Sequence, residues 1–283
     1  MKIGIGLPNL VRDVRPSVIP RWAASAEEAG FSSVGTMGRI AYPSVMDTVA
    51  LAAAAGATRT IGLISTIMLS TAWPAALLAK EVAGIDGISG GRLTLGIGAG
   101  SREDDFLVPG FGRSGRGRRM DNDLETYREV WGGLPVGGGD TPAVPAGTRQ
   151  VPLLFGAQTP PAFARMARWG QGYIAGAVPA SVAALGFDYA RSSWRDAARD
   201  GEPYLVAVAY FALSDPEAGR LNLGDYYAGR GASSDLIVHG MSDTPERLRA
   251  VVEEYQDLGT DQLILSPATD ALDDVHRLAD AVL

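Results

Sequence analysis

The run Ile61-Gly62-Leu63-Ile64-Ser65-Thr66-Ile67, the stretch Pro74–Ile88 and the run Leu93-Thr94-Leu95-Gly96-Ile97 read as strand, helix, strand. Neither outer run carries a charge, and the first is apolar at consecutive positions such as Leu63-Ile64, as parallel strands buried on both faces are. Parallel neighbours need a crossover, and the intervening helical stretch supplies it. Outward from this unit the same alternation recurs. Strands are expected at Ile3–Leu7, Ser33–Thr36, Ile61–Ile67, Leu93–Ile97, Pro152–Phe155, Gly172–Ala175, Leu205–Phe211 and Gln262–Leu265. Helices are expected at Val18–Ala29, Ser44–Ala57, Pro74–Ile88, Arg118–Trp131, Pro160–Trp169, Ser181–Asp200, Pro216–Tyr227, Pro245–Leu258 and Asp270–Val282. Eight β–α pairs predict an α/β fold, a closed (β/α)8 TIM barrel, with an open doubly wound sheet as the rival. The barrel is expected to occupy residues 1–283 as one domain. Helix punctuation agrees: Gly30 and Gly259 stand where helices end before strands, and Thr244-Pro245-Glu246 offers an N-cap followed by proline.

Composition narrows the function. The 283 residues are 46% hydrophobic and 20% charged, which excludes a disordered chain, and 36 glycines imply many tight turns. A net charge of −7 and a pI near 4.9 argue against nucleic acid or an anionic membrane as partner. The absence of cysteine excludes disulfides, thiolate metal sites and a cysteine nucleophile. The two histidines, His239 and His276, read as structural, and no metal site is expected. No apolar run approaches the roughly 18 residues of a membrane span, and a cytoplasmic protein is expected.

In a barrel the loops after strands build the active face, so the long Gly100–Gly117 connection is the functional candidate. The Gly/Pro-rich Gly132–Val151 lies on the opposite side and reads as a flexible connector. Gly96-Ile97-Gly98-Ala99-Gly100 falls short of a dinucleotide motif because Ser101 takes the sixth position; its glycines still let a flat or anionic ligand approach the main chain. Gly87-Ile88-Ser89-Gly90-Gly91 matches a hydrolase elbow by letter, but it lies between helix and strand, where glycines cap the helix. Arg102-Glu103-Asp104-Asp105 reads as a solvated or substrate-facing loop, because consecutive carboxylates diverge. Arg113, Arg116, Arg118 and Arg119 either grip a phosphate or carboxylate or pair with that acidic run. Phe155-Gly156-Ala157-Gln158-Thr159-Pro160 ends in a helix N-terminus that would take a phosphate, or is an ordinary capped turn. Arg39 at the mouth would orient an anion, unless it is a plain surface arginine.

These segments together resemble the bacterial luciferase-like family of flavin- or deazaflavin-dependent oxidoreductases. The sequence LAKEVAGIDGISGGRLTLGIGAG at 78–100 follows the family's "LAK-x-x-x-x-LD-x-LSGGRL-x-LG-x-G-x-G" pattern. Ala26–Phe31, Gly117–Asp121, Pro152–Ala157, Thr244–Glu246 and Gly259–Leu263 match in family order.

The resemblance implies a (β/α)8 barrel, usually dimeric, that binds FMN or the deazaflavin F420 at the strands' C-terminal ends. It places the cofactor ring against a non-prolyl cis bulge near Ser65, Thr66 and Ile67, with Gly98, Ala99, Gly100, Gly156, Ala157, Gln158, Ala175 and Gly176 lining the rest. Two departures stand out. Gly38-Arg39 replaces an Asp-His pair that often supplies the catalytic group, and Ala72-Trp73-Pro74 replaces an R-x-P. The expected activity is monooxygenation of a small organic substrate with reduced FMN from a separate flavin reductase and O2. Arg39 would be the catalytic side chain, with Tyr42 and Trp73 against substrate. The alternatives are F420-dependent hydride transfer in the same cavity, with Arg113, Arg116 or Arg118 receiving the acidic tail, or a non-catalytic flavin-binding subunit.

Overall fold

The computed structural model describes residues 1–228 and 232–283. Its strands are β1 (Lys2–Gly6), β2 (Ser33–Thr36), β3 (Gly62–Ser65), β4 (Met68–Leu69), β5 (Leu93–Gly98), β6 (Leu153–Phe155), β7 (Gly172–Ala175), β8 (Tyr204–Phe211) and β9 (Gln262–Pro267). Every pairing between them is parallel, and β1 closes on β9 through Ile3 opposite Leu263. The third barrel position is split: β3 pairs with β5 through Leu63 and Leu93, and β4 pairs with the same strand through Leu69 and Gly98. The expected unbroken strand Ile61–Ile67 thus ends at Ser65, because a cis peptide between Thr66 and Ile67 turns the chain out of the ladder before β4 resumes it. Counted that way the barrel has eight strand positions.

The helices are α1 (Val18–Glu28), α2 (Asp47–Ala57), α3 (Ala75–Ser89), α4 (Asp104–Leu107), α5 (Arg116–Trp131), α6 (Pro160–Trp169), α7 (Ala180–Asp196), α8 (Pro216–Tyr226), α9 (Ala232–His239), α10 (Pro245–Asp257) and α11 (Asp273–Val282). Helices α4 and α9 were not expected from the sequence. Helix α7 stops before Asp200 because Ala198 takes a φ of 51°, a left-handed conformation that no helix continues through. Alternate strand residues divide the core. Ile64, Leu154, Ile174, Val206, Val208 and Ile264 fill the barrel, while Leu63, Leu95, Phe155 and Leu265 pack outward against the helices.

The most family-like segment does its work at the end of the barrel away from the mouth. Arg92 donates to the carbonyls of Ser89, Ile61, Thr58 and Ala55 and to Thr58 Oγ1, at 2.5–3.2 Å. Asp86 accepts from Leu93 N and, bidentately, from Arg149 at 2.7 and 2.8 Å. Arg149 belongs to the Gly132–Val151 stretch, so that connector is pinned to the barrel near its end. Ser89 Oγ donates to Asp86 O and accepts from Arg92 N, and Gly90 takes the left-handed helix-capping conformation. The hydrolase letters are therefore a helix cap.

Glu27 closes α1 onto the start of β3. Partial burial pushes its carboxyl up, but the N–H groups of Ile61, Thr60 and Arg59 and the Thr60 hydroxyl all donate to it and hold it down at about 2, against 4.5 ordinarily. A depressed folded value makes this contribution complete above about 4.5 and lost as pH falls toward 2. Glu27→Gln is expected to lower stability at pH 7 by about 1–2 kcal/mol after solvent screening, and by progressively less on acidification. Thermal unfolding at neutral and acid pH checks this; a gap independent of pH contradicts it.

Candidate active site

The C-terminal ends of the strands open into a cavity of about 420 Å3, within the roughly 300–1,000 Å3 of small-molecule sites. Its floor is largely main chain. Gly98 ends β5, Gly156 follows β6 and Gly176 follows β7, and all three line the space. Ile67, brought inward by the cis bulge, lies between two of them. A Cβ on Gly98 would come within 2.2 Å of Ile67 Cδ1, and one on Gly156 within 3.5 Å of Ile67 Cγ2. A Cβ on Gly176 would project into open space. This bare cradle fits a flat ring such as an isoalloxazine or deazaflavin.

Helix α6 points its N-terminus at the same space, with Gln158, Thr159 and Ala162 on the wall. Positions 160 and 161 are proline and carry no N–H, and the N–H groups of Ala162 and Phe163 both donate to Thr159 O, so the first turn of α6 offers an anion no free donor. Arg116, at the start of α5, also lines the cavity and forms no ion pair among the described residues. An arginine so placed suits a phosphate or carboxylate.

A lid formed by the loop after β5 and by α4 covers one side. Its latch is Arg39, whose Nη2 lies 2.7 Å from Asp104 Oδ2 and whose Nε pairs with Asp105 Oδ2 at 3.2 Å without hydrogen-bond alignment. Asp105 also accepts from the N–H groups of Ile40 and Ala41 at 2.8 and 2.9 Å. The Arg39 guanidinium lies 5.2 Å from the Tyr42 ring centre and 5.5 Å from that of Tyr226. Arg102 in the lid donates to Tyr226 O and lies over the same ring. Arg119 fixes the loop's far end through the carbonyls of Thr71, Phe111 and Gly112.

Of the residues expected from the sequence, Thr66, Ile67, Gly98, Ala99, Gly100, Gly156, Ala157, Gln158, Gly176 and Arg39 line the cavity. Four do not. Ser65 is wholly buried and donates to Gly96 O at 2.7 Å, tying β3 to β5. Ala175 packs outward into the barrel–helix core. Trp73 does the same, because the turn at Ser70–Ala72 swings it away from the mouth. Tyr42 lies outside the Arg39 side chain and donates to Asp225. The acidic run pairs with Arg39 rather than with the downstream arginines, and Arg113 and Arg118 are exposed. His239 and His276 are exposed on α9 and α11.

The sequence did not point to Tyr226, Tyr227 and Ile237, which with Met37 form part of the cavity wall. Its one available signal was two adjacent tyrosines at the end of the Pro216–Tyr227 stretch.

Among solved structures the chain superposes along its whole length on enzymes of two cofactor types. A monooxygenase from Streptomyces bottropensis matches with a TM-score of 0.77 at 22% identity, over 99% of this chain and 97% of that one. An F420-dependent secondary alcohol dehydrogenase matches with a TM-score of 0.79 at 17% identity, over 100% and 98%. The FMN-bound oxygenating constituent of a 3,6-diketocamphane monooxygenase from Pseudomonas putida matches with a TM-score of 0.74 at 15% identity, over 100% and 99%. At these identities the likeness establishes the fold. An uncharacterized protein of Mycobacterium tuberculosis is 29% identical over 179 residues, a match covering 52% of this chain and 61% of that protein's length. Among the described residues no helix is long and apolar enough to cross a membrane. The luciferase-like monooxygenase family model matches residues 1–266, and the chain belongs to that family.

Proposed function

We propose that the protein is an oxidoreductase that binds reduced FMN in the strand-end cavity and oxygenates a small organic substrate with O2, the flavin being supplied by a separate reductase. The observation that carries this reading is the bare cradle of Gly98, Gly156 and Gly176 around Ile67, beside an arginine with no ion pair among the described residues. Bound there, a reduced flavin supplies the electrons and the site of oxygen activation. The chain's part is positioning. Gly98, Gly156 and Ile67 would set the ring, and Arg116 would hold the phosphate. The lid would exclude water. Arg39, held by Asp104 and Asp105, is proposed to position that lid rather than to act as the catalytic group expected from the sequence.

A second reading is hydride transfer with F420. It is favoured by Arg102 and Arg116, two cations on the cavity wall that suit an acidic tail. Anaerobic titrations with reduced FMN and, separately, with F420 test both readings. Micromolar binding of reduced FMN, followed by substrate-dependent O2 uptake on admitting air, is the expected result. Binding of F420 alone transfers the assignment to the second reading, and binding of neither ends both. Gly98→Val is expected to weaken cofactor binding by about tenfold or more while the barrel still folds, because its side chain drives Ile67 into the ring's place. Unchanged affinity in that variant would remove the cradle from the site. Size-exclusion chromatography tests the homodimer that the family resemblance implies.

A further inference from the structure

We propose that Arg113 and Arg118, with Arg116, form a cationic approach to the cavity that speeds entry of a phosphate-bearing cofactor without holding it once bound. This concerns how the oxidoreductase proposed above is loaded, and it rests on that reading. In a chain of net charge −7, the Gly100–Arg119 segment carries five arginines against three carboxylates. The carboxylates lie at its near end, where Asp104 and Asp105 share Arg39. The far end holds Arg113, Arg116, Arg118 and Arg119, and the first three form no ion pair among the described residues.

Arg119 fixes that end of the lid. Its guanidinium donates to the carbonyls of Thr71, Phe111 and Gly112 and lies 5.1 Å from the Phe111 ring centre. Carbonyl acceptors leave its charge in place. Gly112 and Gly115 take φ values of 67° and 70°, so Arg113 stands in a turn with a left-handed glycine on either side. Helix α5 then opens at Arg116, which lines the cavity, while Arg113 and Arg118 are exposed outside it. The next acid along α5, Asp121, is already paired with Arg165 at 2.6 Å. Exposed arginines add little to a bound complex, because water screens them and their long side chains must be ordered. Their field nevertheless reaches roughly 10 Å at 0.1 M salt, and it acts on a dianion before contact. In an acidic protein that otherwise repels such a ligand, Arg113 and Arg118 therefore raise the association rate.

The test is anaerobic stopped-flow binding of reduced FMN to the full chain, with reduced riboflavin as the analogue lacking the phosphate. The FMN association rate is expected to fall about tenfold between 10 mM and 1 M salt, as the Debye length shrinks from about 30 to about 3 Å. The riboflavin rate is expected to change much less. Arg113→Glu/Arg118→Glu is expected to slow FMN association about fivefold at 10 mM salt and to leave dissociation within about twofold. At 1 M salt it is expected to match the wild type. Arg113→Glu alone is expected to slow association about twofold. Arg195→Glu makes the same change of net charge in the last turn of α7, at the far end of the barrel, and is expected to have no effect. A flat salt profile for FMN, a loss confined to dissociation, or an equal loss in Arg195→Glu overturns this proposal and leaves the flavin reading intact. If F420 alone binds, the same rates and expectations apply to F420 and to its deazaflavin stripped of phosphate. If neither cofactor binds, the oxidoreductase reading falls and this proposal with it.

Discussion

Arg39→Met is expected to lower the melting temperature by roughly 10 °C and to loosen the lid. The side chains of Arg39 and Asp105 are 6% and 3% exposed, so the pair is buried, whereas Asp104 is half exposed and contributes little. Removing one partner of a buried ion pair leaves the other as an uncompensated charge, at about 3–5 kcal/mol. Methionine approximates the arginine stem but removes the guanidinium from beside the Tyr42 and Tyr226 rings, so the loss is chiefly electrostatic. Asp105→Asn in the same chain is expected to recover more than half of it. The amide is neutral, yet its oxygen still accepts from Ile40 and Ala41. Thermal unfolding of the single and double variants measures this, and hydrogen exchange over the lid should rise only in the single one. Equal stability of Arg39→Met and the wild type would show that the latch is idle.

That latch marks the limit of what the sequence discloses. The barrel was legible because its signals are local: consecutive apolar runs, helix stretches between them, glycines at helix ends. The cradle was legible for the same reason, since Gly98, Gly156 and Gly176 each follow a recognisable strand. Side-chain direction was not. Tyr42 and Trp73 follow strands too, but short turns aim one at Asp225 and the other into the helix layer. Arg39 finds its carboxylates across 65 residues, a pairing no spacing rule encodes. Tyr210 meets Met37 across a separation of 173, so that contact becomes visible only once the barrel closes.

Asp47→Asn should do the opposite of Arg39→Met and stabilise the protein at neutral pH. Asp47 opens α2 and is 2% exposed; Oδ1 accepts from Thr48 N, but Oδ2 has no partner among the described residues. Burial, aided by the charge of Glu81 and opposed by the N–H of Thr48, pushes its carboxyl up to about 7 from an ordinary 3.8. The unfolded chain therefore ionises Asp47 near pH 4, while the folded chain retains the proton until about pH 7. Between those values the folded state loses stability as pH rises; below them the penalty is absent, and above them it is constant. Its full size is on the order of 4 kcal/mol. Asparagine does not ionise, so the variant should match the wild type near pH 4 and exceed it by several degrees, up to roughly 10 °C, at pH 8. Asp123, which burial raises to about 6, adds to the wild-type slope but cancels in the difference. A Cβ on Gly38 would lie 2.7 Å from Asp47 Oδ2 and 3.0 Å from the carbonyl of Ile67, so this carboxyl backs the wall that carries the cis bulge. If melting curves of the two proteins stay parallel from pH 4 to 8, Asp47 is not held neutral, and the wall behind the cradle must be wetter than its burial indicates.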